Sequence, residues 1–207
     1  KGAKAMRVDV PLVRDMQHGT LHLMLQHAAA SQHAGQPVQH GLTLIRRRED
    51  KPPLWKHAGG MSWMLNDGRM KRTLEDLPVG TYDVLAWDGA RFPPVGHLVG
   101  REVKGGTEET VDVVLEEGYG FRPTDALGGT KDGSARMRAQ SKLLGALPWV
   151  RWMDELSLFQ TDAQGFTDAP TTGYIGPYPS KQITLVESPK DGKAKEHPLE
   201  ASISPPR

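Results

Sequence analysis

The chain has 207 residues, of which 37% are hydrophobic and 25% charged, a composition typical of a folded globular protein. Lys plus Arg number 26 and Asp plus Glu 25, and the resulting net charge of +1 excludes the strongly basic surface typical of nucleic-acid-binding proteins. The chain has no cysteine, which excludes disulfides and thiolate metal sites, while 23 Gly and 16 Pro favour a β-rich fold with many turns.

The first part of the chain is predicted to form short strands separated by turns. Residues 1–17 contain "RVDVPLV", an alternating stretch that Pro11 interrupts, so we expect an N-terminal arm or edge strand. "GTLHLMLQH" alternates leucine with other residues, and "GLTLIRRR" follows a turn with Gly and Pro, so both are predicted to be half-buried strands. Residues 49–61 have two prolines and two glycines around Trp55 and are predicted to be a loop.

"MSWMLNDGRMKRTLEDLPVGTYDVLAW" predicts a hairpin, a corner and a further strand, because Asn-Asp-Gly tolerates the positive φ of a tight turn. Pro78 fixes φ near the value that a turn requires, and Gly80 can adopt a positive φ that closes it. Tyr82 then opens a strand whose inward face continues with Val84 and Ala86. We interpret Pro78, Gly80 and Tyr82 as a structural corner, in which the tyrosine hydroxyl returns to nearby backbone.

The remaining elements are less regular. "REVKGGTEETVDVVLEEG" predicts two strands joined at a glycine turn, and residues 119–136 have the Gly-rich, polar composition of a linker. Residues 137–204 are predicted to be a smaller β-rich module with a polar, Pro-rich tail. Within it, "RMRAQSKLL" begins either as a short helix or as a strand, and residues 149–159 are predicted to be a strand.

Three segments between residues 19 and 118 resemble the carboxypeptidase regulatory-like domains, which have a prealbumin-like (transthyretin-like) fold. "AGQPVQHGLTLIRR" is similar to the family's Gly-x-Pro-Val turn and second strand, and "EVKGGTEETVDVVL" to its final hairpin. "LNDGRMKRTLEDLPVGTYDVLAW" resembles its Asp-x-Gly hairpin followed by Leu-Pro-x-Gly-x-Tyr. Met70 departs from the family's aromatic residue, and the loop over residues 46–61 is longer than expected. The resemblance implies an all-β Greek-key β-sandwich over residues 18–118.

The C-terminal module has two interpretations. One is a second, degenerate copy of the sandwich, since "LPWVRW" and "TDAQGF" occur in the same order as "QPVQHG" and "NDGRM". The other is an unrelated module, because "APTTGYIGPYPS" stands where Leu-Pro-x-Gly-x-Tyr is expected.

The sequence contains no pattern typical of a catalytic or metal site. It lacks a Gly-x-Ser-x-Gly nucleophile motif, and "GGTKDGS" lacks the ending of a phosphate-binding loop. Five of the eight histidines lie between residues 18 and 40 without the i, i+4 pairing of a zinc protease, so we interpret them as solvated strand residues. We predict no catalytic residue, no metal and no cofactor, and therefore no enzyme.

The tryptophans are the best candidates for binding another molecule. Trp55 and Trp63 flank a Gly-rich loop. Alternation along "TYDVLAW" places Asp83, Leu85 and Trp87 on the face opposite Tyr82, and the aspartate predicts that this face is partly hydrated. The apolar residues beside it predict cover by the C-terminal module, by the following loop or by a partner chain. Partner contacts are predicted at Trp55, Trp63, Leu85 and Trp87.

The predicted function is a non-catalytic structural or protein-interaction module of a larger protein, with a protein or the remainder of the polypeptide as partner. One alternative is a carbohydrate-binding module, in which exposed, coplanar Trp55 and Trp63 stack on a glycan. Another is an accessory domain that orients the catalytic part of an enzyme. The family resemblance implies an extracytoplasmic location, whether periplasmic, cell-surface or secreted. No apolar run reaches the roughly 18 residues that cross a bilayer, and the start at Lys1 suggests processing or trimming.

Overall fold

The computed structural model describes residues 17–57, 62–89, 91, 94–128, 135–150, 161–168, 173–189 and 192–202. Regular structure in these ranges is almost entirely β-strand, with one short helix, α1 (Pro123–Ala126). The predicted all-β class is therefore confirmed. The N-terminal arm predicted over residues 1–17 lies, apart from its last residue, outside the described ranges.

The first eight strands of the chain form two four-stranded sheets. Sheet A comprises β1 (His18–His27), β4 (Ser62–Met64), β5 (Met70–Pro78) and β8 (Glu108–Leu115), in the order β4-β5-β1-β8. Sheet B comprises β2 (His40–Arg48), β3 (Lys51–His57), β6 (Gly80–Asp88) and β7 (Val95–Val103), in the order β3-β2-β6-β7. In sheet A, β1 pairs antiparallel with β5 and parallel with β8. The chain crosses between the sheets from β1 to β2, from β3 to β4, from β5 to β6 and from β7 to β8.

The core between these sheets is built from every second residue of the strands, as a period of two requires. The alternate leucines of β1 face inward, where they cluster with Tyr82, Val84 and Ala86 of β6. The inward face predicted for β6 is therefore the one that lines this first core. Burial of these apolar side chains is the main stabilising contribution to the sandwich.

A corner joins β5 of sheet A to β6 of sheet B. The hydroxyl of Tyr82 donates a hydrogen bond to the carbonyl oxygen of Pro78 at 2.7 Å, and Arg46 Nη2 donates to the carbonyl oxygen of Val79 at 2.8 Å. Gly80 has a φ of 156°, and a Cβ there would lie 3.2 Å from Arg46 Nε. Burial raises the pKa of the Tyr82 hydroxyl, which therefore stays protonated and able to donate.

The C-terminal part forms two further sheets. Sheet C comprises β10 (Ala135–Ser141), β11 (Gly145–Leu147), β13 (Gln182–Pro189) and β14 (Lys195–Glu200), in the order β11-β10-β13-β14. Sheet D pairs β9 (Tyr119–Phe121) with β12 (Ile175–Tyr178). Of the two predicted forms of the segment at β10, the strand is the one observed. The strand predicted over residues 149–159 lies mostly outside the described ranges.

Two predictions of irregular structure are corrected. The linker predicted over residues 119–136 contains, in its described part, β9, α1 and the start of β10. Phe121 of β9 is buried beside the rings of Trp149 and Tyr178, so this segment belongs to the folded part of the chain. The loop predicted over residues 49–61 contains β3, an edge strand. The pairing of β3 with β2 has a register shift at the two prolines, between Arg46 opposite Leu54 and Arg48 opposite Lys51, so their missing N–H groups fall at an irregularity of an edge strand and do not prevent pairing.

A second core joins sheet B to the C-terminal part. Ile45 of β2 and Leu85 of β6 cluster there with Trp149, Tyr178 and Leu185, all at most 1% exposed. Sheet B is thus buried on both faces, and β6 is buried at each position from Tyr82 to Asp88.

Candidate functional site

The β4 edge, Trp63 and Met64, carries the most exposed large apolar side chains of the described residues. Trp63 is 56% exposed and Met64 is 59% exposed. β4 lies at the end of sheet A, and none of the described strands pairs with its outer side. The register places Trp63 opposite Lys71 and Met64 opposite Met70, so the two side chains project to opposite faces of β4. Single exposed apolar residues are common on protein surfaces, but here they flank backbone groups that no described strand pairs.

A tight turn holds β4 against β5. Gly68, with a φ of 81°, donates from its amide to the carbonyl oxygen of Leu65 at 3.1 Å, and Leu65 N donates to Arg69 O at 2.8 Å. The Asp67 carboxylate accepts hydrogen bonds from the Arg69 amide at 3.1 Å and from Arg69 Nε at 2.8 Å. These bonds, the backbone one first, lower the pKa of Asp67. The turn predicted from Asn-Asp-Gly therefore fixes the β4 edge in place.

The outer face of sheet A carries a mixed row of side chains next to Trp63. The register places Trp63 opposite Lys71, Lys71 opposite Met24, and Met24 opposite Asp112. Met24 is 8% exposed although it lies on this outer face, so its neighbours cover it. The row is thus polar apart from Trp63 at its edge and the covered methionine.

Trp55 lies in the other sheet. Its side chain is half-buried on β3 and packs against the second core. A Cβ at Gly165 would lie 2.8 Å from the Trp55 ring, so glycine permits the close approach of the C-terminal part. Trp55 and Trp63 therefore do not share the exposed face that stacking on a glycan would require of them.

Leu85 and Trp87 contact the C-terminal part of the same chain. Leu85 is 1% exposed and lies in the second core. Trp87 is 4% exposed and clusters with Val95 and with Val150, which belongs to the C-terminal part. A Cβ at Gly41 would lie 2.3 Å from the Trp87 ring, so the indole lies directly over this glycine. The cover of the outer face of sheet B is thus intramolecular.

The prediction that the outer face of sheet B is partly hydrated is wrong, because Asp83 on that face is only 1% exposed. Arg47 Nε donates to its two carboxylate oxygens at 3.0 and 2.9 Å, and the amide of Gly100 donates at 2.7 Å. The hydrogen bonds to Asp83 raise the pKa of Arg47. A buried carboxylate is tolerated when hydrogen bonds to its charge replace those it made with water. Arg47 and the amide of Gly100 donate these bonds to Asp83.

A histidine cluster, formed by His27, His33, Asp88 and Arg91, lies at the end of β1. The side chains of His27 and Asp88 are fully buried, with His27 Nε2 3.0 Å from Asp88 Oδ2. The ring centroid of His33 lies 5.6 Å from that of His27, and Arg91 Nη1 lies 3.5 Å from Asp88 Oδ2. His27 was predicted to be solvated, which is wrong. Its place two residues after Leu25 continues the inward period of β1 and could have identified it.

A cleft of about 640 Å³ lies beside the histidine cluster. The loop between β1 and β2 supplies one wall, with Ser31, Gln32 and His33, and Pro94 and Glu116 lie among the other lining residues. In the described part of the chain, no three histidine, aspartate or glutamate side chains group as a metal site would require. Among the same residues, no helix has the length and apolar character needed to span a membrane.

Comparison with known proteins gives little. No model of a known protein family matches the chain, and no curated protein matches it. The TIE protein of Bacillus anthracis is similar with 14% identity and a TM-score of 0.26, over 91% of this chain and 32% of that chain. A leucine-rich repeat protein from Bacteroides thetaiotaomicron VPI-5482 is similar with 11% identity and a TM-score of 0.32, over 87% of this chain and 23% of that chain. The chain thus spans a third or less of either protein, and neither TM-score supports an argument about fold or function. The resemblance to the carboxypeptidase regulatory-like domains stays a prediction.

Proposed function

We propose that this chain is a non-catalytic structural and protein-interaction module of a larger, extracytoplasmic protein, of the carboxypeptidase regulatory-like type. Its partner is a protein segment, either from another chain or from the remainder of the polypeptide. The docking site is the β4 edge. The single observation that carries the proposal is the exposure of Trp63 and Met64 on the two faces of an edge strand whose outer side no described strand pairs.

The geometry of the β4 edge favours an extended protein segment as the occupant. An edge strand offers backbone N–H and C=O groups to which a partner strand can add, and the side chains beside it supply specificity. Trp63 and Met64 are residue types that supply much of the apolar contact in protein interfaces. Both stand on a hairpin that the Asp67 turn fixes, so docking there orders little of this chain.

The placement of the titratable groups supports a non-catalytic role. A general base must come within hydrogen-bond reach of a substrate proton. The histidine and aspartate that come together in the histidine cluster, His27 and Asp88, have fully buried side chains. The pair at Asp83 and Arg47 is committed to holding β6 and β2 together. These groups therefore serve the fold.

Site-specific photo-crosslinking in the full-length polypeptide tests the proposal. A photoreactive residue at position 63 is expected to give one discrete adduct with a protein segment, because this side chain is 56% exposed at the sheet edge. The matched control is position 143, since Leu143 is also an exposed apolar residue, 47% exposed, but lies in the C-terminal part. Equal labelling at both positions, or none at position 63, would contradict docking at the β4 edge. Soluble glycans that compete for the position-63 adduct would instead favour the carbohydrate alternative.

A further inference from the structure

The histidine cluster ties two loops together at one end of the sandwich. His27 ends β1 and Asp88 ends β6, so their contact joins the two sheets where the strands stop. From the loop after β6, Arg91 Nη1 donates to the carbonyl oxygen of Pro37 at 2.9 Å. The loop over residues 28–38 is thereby held at both ends, by the position of β1 and by Arg91. The same loop forms a wall of the cleft.

The charges in the histidine cluster balance only while His27 is neutral. One carboxylate, Asp88, faces one guanidinium, Arg91, and the two rings of His27 and His33 lie 5.6 Å apart. An imidazolium at His27 would add a second cation beside the same carboxylate, and charge on His33 would add a third. These are the groups that face His27 from β6, from the loop over residues 28–38 and from the loop after β6.

The hydrogen bonding of His27 also favours a neutral ring. Both ring nitrogens are buried without a partner in hydrogen-bond geometry among the described residues; Nε2 lies 3.0 Å from Asp88 Oδ2, whereas Nδ1 has no such neighbour. A neutral imidazole leaves an acceptor lone pair at one nitrogen, whereas an imidazolium carries N–H donors on both. Protonation would therefore bury an unmet donor, which costs more than an unmet acceptor that was never charged.

We propose that the histidine cluster is a proton-sensitive latch, which holds the loop over residues 28–38 closed at neutral pH and releases it, opening the cleft wall, on acidification. The inference does not depend on docking at the β4 edge, although Gly35 of this loop packs against Gly68 in the turn after β4, where a Cβ would lie 2.7 Å from the Gly35 carbonyl oxygen. Histidine is the side chain whose charge changes in the range that separates neutral from mildly acidic compartments.

The direction of the pH dependence follows from burial. Burial lowers the pKa of His27 from its ordinary value of 6.5, and the nearby His33 and Arg91 lower it too, while Asp88 opposes them. The folded protein then binds this proton less readily than the open form. The closed state is fully stabilised above pH 6.5 and loses stability as the pH falls from there toward the lowered pKa of the closed protein.

Two measurements on the full chain test the latch. Titration of the His27 ring by NMR is expected to give a midpoint below 6.5. Amide hydrogen exchange, corrected for the intrinsic rate, is expected to speed up about tenfold over residues 28–38 between about pH 7.5 and about pH 5, with little change in sheet C.

Two variants separate the latch from a general effect of acid. His27→Gln keeps an amide that can donate to Asp88 but does not titrate, so its loop exchange is expected to lose the pH dependence. His22→Gln lies on the same strand, where His22 contacts Thr73 and Glu108 on the outer face, and is expected to behave like the unchanged protein. A His27 midpoint at or above 6.5, or loop exchange that does not change with pH, would overturn the inference. If His27→Gln does not fold, the titration and the loop exchange of the unchanged protein, with His22→Gln as control, decide.

Discussion

The outer faces of sheets A and B have similar sequence patterns but different surroundings. Each carries an aspartate and a tryptophan, Asp112 and Trp63 on sheet A and Asp83 and Trp87 on sheet B. On sheet B both are buried, Trp87 against Val150 of the C-terminal part and Asp83 against Arg47 and Gly100, whereas on sheet A Trp63 is 56% exposed. The difference shows that strand alternation assigns a residue to a face but does not specify what covers that face. The following variants test this comparison, from the largest expected effect to the smallest.

Truncation of Leu85 tests whether the second core belongs to the same cooperative unit as the first. Leu85→Ala removes a side chain that is 1% exposed, and it is expected to lower the free energy of unfolding by about 2–5 kcal/mol. Calorimetry is expected to show one transition, before and after the change, because sheet B serves both cores. The matched control is Leu54→Ala, on β3, where the side chain is 45% exposed; we expect a loss within about 0.5 kcal/mol. Two resolved transitions, or equal losses in both variants, would contradict a shared unit.

Substitution of Asp83 and of Asp112 compares the covered outer face of sheet B with the exposed outer face of sheet A. Asp83→Ala leaves the amide of Gly100 without its acceptor and is expected to cost about 1–3 kcal/mol in urea denaturation. Asp112→Ala breaks a 3.7 Å contact with Arg69 that solvent screens, so the expected change is within about 0.5 kcal/mol. Equal losses of stability in the two variants would contradict the claim that Asp83 is buried and hydrogen-bonded while Asp112 is exposed to solvent.

Two tyrosine hydroxyls allow the two cores to be compared directly. Tyr82 donates to Pro78 in the first core, and Tyr178 donates to the carbonyl oxygen of Pro148 at 2.6 Å in the second. Tyr82→Phe and Tyr178→Phe are each expected to cost about 0.5–1.5 kcal/mol, with the larger loss at Tyr178 because its hydroxyl has no access to water. Burial raises the pKa of Tyr178 far above its ordinary value, in agreement with this position. Thermal unfolding of the two variants measures the difference between their stability losses. A larger loss in Tyr82→Phe would contradict the expectation that the Tyr178 hydroxyl has less access to water.

The smallest effect on stability is expected at the β4 edge. Trp63→Ala removes a largely exposed side chain and is expected to change the free energy of unfolding by no more than about 0.5 kcal/mol. The same variant is expected to abolish the crosslinked adduct when the photoreactive residue is moved to position 64, since the indole supplies the apolar contact. A large loss of stability would show that Trp63 serves the fold of this chain.

The local sequence was sufficient to predict the turns and to assign the residues of β6 to their two faces. The Asn-Asp-Gly turn and the corner at Pro78 and Tyr82 depend on residues within five positions of each other, so their chemistry can be read directly from the chain. The inward set of β6 follows from a period of two, which holds wherever the strand lies. The same period placed His27 inward, but the density of histidines around it led to the wrong interpretation.

Composition and alternation thus determined the all-β class, the corner and the side of β6 on which each residue lies. Tertiary structure alone decided what covers the outer faces of the two sheets, and therefore whether an aspartate is buried or a tryptophan exposed. The physical reason is that the cost of burying Asp83 depends on Arg47, 36 residues away, and on Gly100, 17 residues away. Likewise, the burial of Leu85 depends on a sheet that forms more than 40 residues later in the chain. Partners so distant in sequence cannot be read from the local pattern, so only the folded structure decides whether each residue of these faces is covered.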